Sequence, residues 1–321
     1  MKKTVKKILP NFLFVLLKKI YIVYLDFQSQ IEYKKHKNAN PKDYPELLKN
    51  LYKKRTNEKL DWNKIETYNE KMQWAKLFNN EDNEKKAILS DKYLVREWIK
   101  EKIGSQYLIP ILGAYDSTEE INFDLLPQKY VIKTNNGSGT NIIVKNKDDI
   151  NIKKIDKALK KWLNTDFAYK AFEMHYTYIK PKIIIEDFIE DSKGELNDYK
   201  FLCFDGKVHF CWVDTDRFNN HERNVYDRNW NLESWKQHKY NSISSNLEKP
   251  KEYDRMVEIA EILSEGFSHV RVDLYNVDGR IYFGEMTFTN GSGFEKIEPF
   301  EKNLLLGSLW NLPLEKRAFK K

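Results

Sequence analysis

Two apolar stretches, each carrying one acidic residue, constrain the fold of this chain more than any other feature. Residues 270–275 and 281–287 read as paired strands, and a three-residue loop at 278–280 would place Asp273 directly opposite Glu285. Directly opposed residues have Cβ atoms about 4.5–5.5 Å apart, so two ionised carboxylates would repel each other. A cation held by oxygen ligands relieves that repulsion, which indicates a Mg²⁺ site. A two-residue turn would instead place the acids on opposite faces, and a hairpin with two solvated acids is the alternative.

A glycine-rich loop follows a lysine in the middle of the chain, where Lys133 precedes the run Thr134-Asn135-Asn136-Gly137-Ser138-Gly139-Thr140. Glycines let backbone N–H groups turn inward and the hydroxyls add donors, so the loop can cradle a phosphate. The predicted phosphate-binding residues are Lys133, Gly137, Ser138, Gly139 and Thr140. The run lacks GK[ST] and leads into a strand, which excludes a Walker loop and a dinucleotide fingerprint. A plain polar hairpin loop is the alternative.

A third candidate site lies where the apolar strand 183–185 ends in acidic and aromatic residues. Aliphatic side chains can hold an adenine ring between them, while Glu186 and the backbone of Asp187, Phe188 and Ile189 take its polar edge. The alternative is a buried strand with a solvated acidic tip.

Arginines gather after a predicted hairpin at 199–213. Residues 214–228 contain Arg217 and Arg223 in a segment that reads as too polar and irregular for a core. Because a guanidinium binds carboxylates and phosphates with two parallel hydrogen bonds, we expect both to orient an acidic substrate. Arg271, beside the metal strand, is expected to stabilise a transferring phosphoryl group. A solvated basic loop is the alternative for residues 214–228.

Composition sets wider limits on the protein. The chain has 321 residues, enough for about two domains, and a formal charge of +7 that suits anionic partners. The basic residues are spread along the chain, and we do not predict nucleic-acid binding. The chain has only two cysteines, so we expect that its fold needs no disulfide framework. Strands joined by hairpins and mixed with helices favour an α+β fold. Among those helices, we expect one near residue 91 to be capped by Ser90.

The N-terminal segment is basic at residues 2–7 and largely apolar at 8–17. Lys18 and Lys19 stand where a signal peptide would carry small residues, and with Pro10 and Asn11 they interrupt any spanning helix. The segment can lie on an anionic membrane surface or form a helix packed on the protein. In either case we expect a cytoplasmic protein, peripheral on the inner face of the membrane if the segment binds lipid.

The order of these sites resembles the ATP-grasp superfamily, and more closely its TupA-like branch, named for teichuronopeptide synthesis and found among surface-polysaccharide genes. The resemblance covers roughly residues 40–312. Its most specific motifs are Ser90-Asp91-Lys92-Tyr93, Tyr130-Val131-Ile132-Lys133, Asp198-Tyr199-Lys200-Phe201, Arg271-Val272-Asp273 and Gly284-Glu285-Met286-Thr287-Phe288. It implies a basic N-terminal segment at 1–39, a helical region at 40–128 and two ATP-clasping lobes at 129–190 and 191–321.

The resemblance also implies residue roles. Lys92 and Lys133 would contact the ATP phosphates, and Lys200 would face the γ-phosphate or an acyl phosphate. Asp273 and Glu285 would bind Mg²⁺. Thr287 stands where many ATP-grasp enzymes carry an asparagine metal ligand, and Asn290 is a possible substitute.

The activity implied is ATP-dependent ligation. A carboxylate attacks the γ-phosphate, ADP leaves, and an amine attacks the acyl phosphate. We therefore expect a carboxylate–amine ligase that joins an amino acid or amine and an acidic sugar in a capsule, O-antigen or cell-wall glycan. The alternatives are a sugar-transferring enzyme of the same biosynthesis and a membrane-surface scaffold with a decayed nucleotide site.

Overall fold

A computed structural model describes residues 11–79, 82–215, 221–237, 241–243 and 246–315. The chain divides into two compact units, Met1–Leu47 and Leu48–Lys321. The long helix α1 (Asn11–Asn38) forms most of the described part of the first unit. No helix within the described ranges is both long enough and apolar enough to cross a membrane.

Helices precede the sheets in the chain. They are α2 (Tyr44–Thr56), α3 (Tyr68–Phe78), α4 (Asn83–Ser90) and α5 (Val95–Lys102). Helix α3 begins with a capping box, in which the Thr67 side chain and Glu70 satisfy each other's backbone N–H groups. The prediction that Ser90 caps a helix is wrong, because Ser90 ends α4. Leu94 precedes α5 without a side-chain cap. Asp91 holds the turn between the two helices, and its Oδ1 accepts hydrogen bonds from the backbone N–H groups of Tyr93 and Leu94 at 2.7 and 3.1 Å.

The first sheet has four antiparallel strands in the order β1-β4-β2-β3. These strands are β1 (Ile111–Tyr115), β2 (Tyr130–Thr134), β3 (Asn141–Val144) and β4 (Ile183–Asp187). Helix α6 (Ile152–Leu163) buries Ile155 and Leu159 in the core that this sheet forms. A short helix, α7 (Ala168–Ala171), follows it. The sheet carries the glycine-rich loop between β2 and β3.

The second sheet has five antiparallel strands in the order β10-β9-β5-β6-β7. They are β5 (Asp198–Phe204), β6 (Lys207–Thr215), β7 (Glu222–Asp227), β9 (His269–Val277) and β10 (Arg280–Thr287). Helix α8 (Tyr253–Ser264) packs its apolar residues, among them Met256 and Ile259, into the core of this sheet. Strands β8 (Lys236–Gln237) and β11 (Ile297–Glu298) pair separately, and α9 (Phe300–Leu309) follows. The predicted α+β class is confirmed.

The β9–β10 hairpin reaches the expected pairing by an unexpected route. Val277 pairs with Arg280, so the turn has two residues and the three-residue loop is wrong. A bulge between Phe283 and Glu285 then shifts the register by one, and Glu285 faces Asp273 after all. Gly284 occupies the bulge, where an added Cβ would lie 3.0 Å from the carbonyl oxygen of Asp273. The bulge thus determines on which side of the sheet Glu285 lies.

Helix α9 approaches the start of α3 closely at Gly307. A Cβ added there would collide with the carbonyl oxygen of Glu66 and lie 2.9 Å from both the carbonyl carbon of Thr67 and the nitrogen of Tyr68. These are backbone atoms and cannot swing aside. The contact therefore fixes α3, whose side chains support the loop described below.

We predict that Gly307→Ala destabilises the protein although alanine is the better helix former. The propensity gain is about 1 kcal/mol, whereas overpacking against fixed atoms costs about 1–3 kcal/mol and more where backbone must move. Urea unfolding followed by circular dichroism measures the difference. Ser308→Ala, one residue on at an exposed position, is the control and should change stability little. Equal stability of Gly307→Ala and the parent would contradict the close packing.

Candidate active site

Arg271 joins the two acids of the β9–β10 hairpin. Its Nε donates to Asp273 Oδ1 at 2.7 Å, and its Nη2 donates to Asp273 Oδ2 at 2.7 Å and to Glu285 Oε1 at 2.9 Å. Burial alone would raise the pKa of Glu285, but the neighbouring cations, Arg271 foremost, outweigh burial and lower it to about 2. The repulsion expected between the acids is therefore relieved by the protein itself.

Lys200 is a second buried cation beside Asp273. Its Nζ donates to Asp198 Oδ2 at 2.5 Å and to Asp273 Oδ2 at 2.6 Å. Burial would lower the pKa of Lys200, yet these two carboxylates outweigh it and raise the pKa. Lys200 therefore stays charged. Together with Arg271, it donates to Asp273 Oδ2.

The oxygen atoms around Arg271 have the chemistry that Mg²⁺ prefers. Besides the two acids, the Thr287 hydroxyl lies 3.1 Å from Nη2, and the Asn290 side-chain oxygen accepts from Nη1. All four are hard oxygen donors. No group of three or more His, Cys, Asp or Glu in the described part of the chain is arranged to hold a metal. The acid pair fits a cation that takes its other ligands from neutral oxygens or phosphates.

The glycine-rich loop is anchored at its base and open at its tip. The Thr134 N–H donates to the Thr140 carbonyl at 3.1 Å, and the Asn135 side chain donates to Asp91 Oδ2 at 2.7 Å. The tip, residues 138–139, is exposed, while the rest of the loop is buried. Asp91 thus holds both the turn before α5 and the glycine-rich loop, which explains why the two motifs lie together.

Lys92 connects the loop to the acid pair. Its Nζ donates to the carbonyl oxygen of Gly137 at 2.6 Å. Burial lowers the pKa of Lys92, while Glu285 acts most strongly in the opposite direction. The lysine therefore contacts the glycine-rich loop and lies within electrostatic range of Glu285.

Lys133 and Glu186 contact each other directly. The Lys133 ammonium forms an ion pair with Glu186 Oε2, and Arg96 Nη1 lies 3.9 Å from Oε1. Both carboxylate oxygens of Glu186 thus face cations, and this buried acid positions Lys133 on its strand. Of the residues predicted to bind adenine, Asp187 already uses its backbone N–H, which donates to the carbonyl oxygen of Pro110 at 3.0 Å. Phe188 and Ile189 follow the end of the strand and do not take part in that hydrogen bond.

One cleft of about 140 Å³ brings several predicted residues together. Those that line it are Lys92, Gly137, Ser138, Arg271, Glu285 and Thr287. The remaining described site residues are absent from its lining, including Lys133, Gly139, Thr140, Glu186, Asp187, Phe188, Ile189, Lys200, Arg223 and Asp273. Lining residues that the sequence analysis missed are Ser90, Phe167, Glu173, Tyr176, Met286, Thr289, Gly291 and Ser292.

A second glycine-rich loop forms part of this lining. Gly291, Ser292 and Gly293 are three consecutive residues with positive φ, of 54°, 52° and 67°. Left-handed backbone costs a residue with a Cβ about 1–2 kcal/mol, so Ser292 needs support. Glu173 provides part of it, since its carboxylate accepts hydrogen bonds from the hydroxyls of Ser292 and Thr289. The run Asn290-Gly291-Ser292-Gly293 resembles the first loop in composition, a signal that could have identified it.

Helix α3 provides the rest of that support. Gln73 Nε2 donates to the carbonyl oxygens of Ser292 and Gly293 at 3.2 and 2.8 Å, and Lys76 Nζ donates to Ser292 O at 3.0 Å. One turn earlier, Asn69 Nδ2 donates to Glu295 O at 2.9 Å. One face of α3 therefore fixes the backbone of the loop.

For the described residues 222–227, the interpretation as an irregular, polar segment is wrong. Residues Glu222–Asp227 form β7, and Arg223 is only 6% exposed. Its Nε and Nη2 donate to the two oxygens of the buried Asp214, at 2.5 and 2.7 Å, and its Nη1 donates to Gln237. The protein itself occupies this guanidinium, so Arg223 holds Asp214, and its predicted substrate role stays a prediction. Arg217 lies outside the described residues.

A family model decides where this chain belongs. The model of TupA-like ATP-grasp proteins matches residues 70–311. The chain belongs to the TupA-like ATP-grasp family. The predicted family and ATP-grasp fold are thereby confirmed, and membership supports the predicted ATP-dependent ligase with ATP and Mg²⁺ as cofactors. No curated protein matches the chain.

Solved ligases of the ATP-grasp fold are structurally similar to this TupA-like chain. A D-alanine–D-alanine ligase from Bacillus anthracis is 21% identical over 63% of this chain and 57% of its own, with a TM-score of 0.36. The ATP-grasp ligase PsnB, complexed with a minimal precursor, Mg and ADP, is 12% identical over 64% and 52%, with a TM-score of 0.35. The chain thus spans little more than half the length of these ligases.

We predict that Arg223→Met lowers the free energy of unfolding far more than Arg228→Met does. Removing one partner of a buried ion pair costs about 3–5 kcal/mol, because it leaves Asp214 charged without its partner. Arg228 pairs with Glu261 at a half-exposed site, where an ion pair contributes less than about 1 kcal/mol. Chemical denaturation of both variants checks this. Equal stabilities, with lost activity in Arg223→Met alone, would restore the substrate role.

Proposed function

We propose that this TupA-like protein is an ATP-dependent carboxylate–amine ligase that acts through an acyl phosphate. The observation that carries the proposal is a cleft lined by Lys92, Arg271 and Glu285. Lys92 donates to the glycine-rich loop, and Arg271 bridges Glu285 to Asp273, which lies outside that lining. Cations and oxygen ligands without a protein nucleophile suit phosphoryl transfer, where catalysis is mainly positioning and charge neutralisation.

The residues would divide the chemistry as follows. Lys92, Lys133 and the glycine-rich loop would bind the ATP phosphates, and the strand end at 186–189 would hold adenine. Asp273 and Glu285 would hold Mg²⁺, which would neutralise phosphate charge, with Thr287 or Asn290 as a further oxygen ligand. The substrate carboxylate would attack the γ-phosphorus as the bond to ADP breaks. The amine would then attack the acyl carbon and release phosphate. Arg271 and Lys200 would stabilise the transferring group.

The substrates we propose are an acidic sugar of a capsule, O-antigen or cell-wall glycan and an amino acid or amine. The TupA-like resemblance supports this choice, and the net charge of +7 suits an anionic acceptor. Incubating the protein with Mg-ATP and pairs of uronic acids and amino acids tests it, with ADP and the amide product detected by mass spectrometry. Transfer from a nucleotide sugar without ATP consumption would favour the sugar-transferring alternative.

We predict that Asp273→Asn and Glu285→Gln each abolish turnover. Glu285→Gln is the cleaner test because its side chain is 39% exposed, whereas Asp273 also holds two buried cations. Calorimetric titration with ATP, in Mg²⁺ and in chelator, should show that the parent's affinity depends on Mg²⁺ and that this dependence is lost in Glu285→Gln. Glu265→Gln, at an exposed position, is the matched control. Retained Mg²⁺ dependence and turnover in both site variants would remove the metal assignment.

We also propose that helix α1 holds the enzyme on the inner face of an anionic membrane. Large apolar side chains on α1 are exposed, from Leu17 at 47% to Phe27 at 61%. At 100° per residue, these side chains share about 140° of the helix circumference. They are Leu16, Leu17, Ile20, Tyr21, Tyr24, Phe27 and Ile31. Lysines at both ends of the segment would contact anionic headgroups, at about 1 kcal/mol each.

We predict that the full chain sediments with vesicles containing anionic phospholipid and that replacing Ile20 and Phe27 by asparagine weakens this association. Both substitutions remove apolar surface from the exposed face. Gln28→Asn with Gln30→Asn on the same helix is the control and should sediment like the parent. Equal retention by a chain that begins at Asn40 would contradict the membrane role.

A further inference from the structure

A second cavity, of about 60 Å³, lies between α3, α4 and the segment at 266–269. About 10–15 Å³ of such space suffices for a water molecule, so this cavity can take one carboxylate or phosphate group. Asp82 and Gly266 are exposed and form part of its lining, which opens it to solvent. It is distinct from the active cleft, although Thr289 lines both.

Two lysines and a buried histidine line this cavity. The ring nitrogen Nε2 of His175 has no hydrogen-bond partner among the described residues, and the residue is 4% exposed. Burial lowers the pKa of His175 to about 3, so the ring is neutral and can offer an anion one N–H. Burial also lowers the pKa of Lys86, and that of Lys76 to about 7, so an anion in the cavity would favour the charged form of both lysines.

The ammonium groups keep donors for a ligand. Lys76 Nζ donates to Ser292 O at 3.0 Å and Lys86 Nζ donates to Asn79 O at 2.9 Å. An ammonium has three donors, so each retains capacity for an anion. Asp82 is the acid among the lining residues, and its charge acts on Lys86 against the effect of burial.

Residues 173–176 form the wall between the two cavities. Glu173 and Tyr176 line the active cleft, whereas His175, between them, lines the second cavity. Lys76 contacts the carbonyl of Ser292, a cleft residue, from the same side. A ligand in the second cavity would therefore contact the groups that hold the loop at 289–293.

We propose that this cavity is an oxyanion subsite in which Lys76, Lys86 and His175 bind one carboxylate or phosphate group. The group would belong to an acidic substrate or be free phosphate. Its assignment to a substrate rests on the proposed ligase function, whereas the binding of an oxyanion does not.

Calorimetry on the full chain, with the nucleotide site saturated by a non-hydrolysable ATP analogue, tests the subsite. Inorganic phosphate and acetate are titrated separately, which distinguishes a phosphate from a carboxylate preference. We expect the parent to bind at least one of the two anions. Lys76→Met and His175→Phe should each weaken this binding on the order of tenfold to a hundredfold, because each variant loses a hydrogen bond to the charged anion. His175→Gln, which keeps a donor, should retain more affinity than His175→Phe. Lys157→Met, the same charge change at an exposed position, should bind like the parent.

The outcomes separate this subsite from the ligase proposal. Binding of neither anion, or unchanged binding in Lys76→Met and His175→Phe, would overturn the subsite even if ATP still binds. Anion binding that persists without any ATP affinity would uphold the subsite and contradict the ligase. Thermal unfolding of each variant checks the fold, and Lys86→Met provides a second variant if Lys76→Met is unfolded.

Discussion

The ion pairs that Arg271 makes with Asp273 and Glu285 are the interaction on which the rest of the site depends. Two acids on neighbouring strands within an apolar sheet require positive charge close by. Arg271 supplies it with a planar fork that contacts both acids together with Thr287 and Asn290. Lys200 adds a second cation from the next strand. The centre of the second lobe is therefore a fixed charge network, formed before any ligand arrives.

Around that network, the structure uses helix α3 to fix the loop that completes the cleft. Gln73 and Lys76 hold the carbonyl oxygens of Ser292 and Gly293, and Gly307 allows α9 to lie directly against the start of α3. Together with Glu173, these donors stabilise the left-handed backbone at Ser292. Helix α3 and the five-stranded sheet are thus parts of one site.

Sequence reasoning identified the family and the fold better than it identified the geometry of each residue. Motif order gave the family and the fold, because strand patterns and glycine-rich loops are local signals. The opposition of Asp273 and Glu285 was expected from a loop that does not exist, and the bulge at Gly284 produced it instead. Periodicity cannot reveal a bulge, since one residue changes the register without changing the composition.

Long-range pairing explains the other failures. Arg223 reads as a surface residue because its partner Asp214 lies on the neighbouring strand, and the sequence does not show that the two strands pair. Likewise, nothing near Glu186 in the sequence shows that Lys133 and Arg96 occupy both of its oxygens.

The internal ion pairs of Lys133 and Arg271 also affect how ionic strength acts on nucleotide binding. Both cations are already neutralised by carboxylates, Glu186 for the lysine and Asp273 with Glu285 for the arginine. In the proposed function, phosphates that contact them would exchange one ion pair for another and displace few ions from solution. Because buried pairs are screened little by salt, affinity for a nucleotide should vary less with salt concentration than its number of phosphate contacts suggests. Simple anions at cellular concentrations would compete poorly for the same cations.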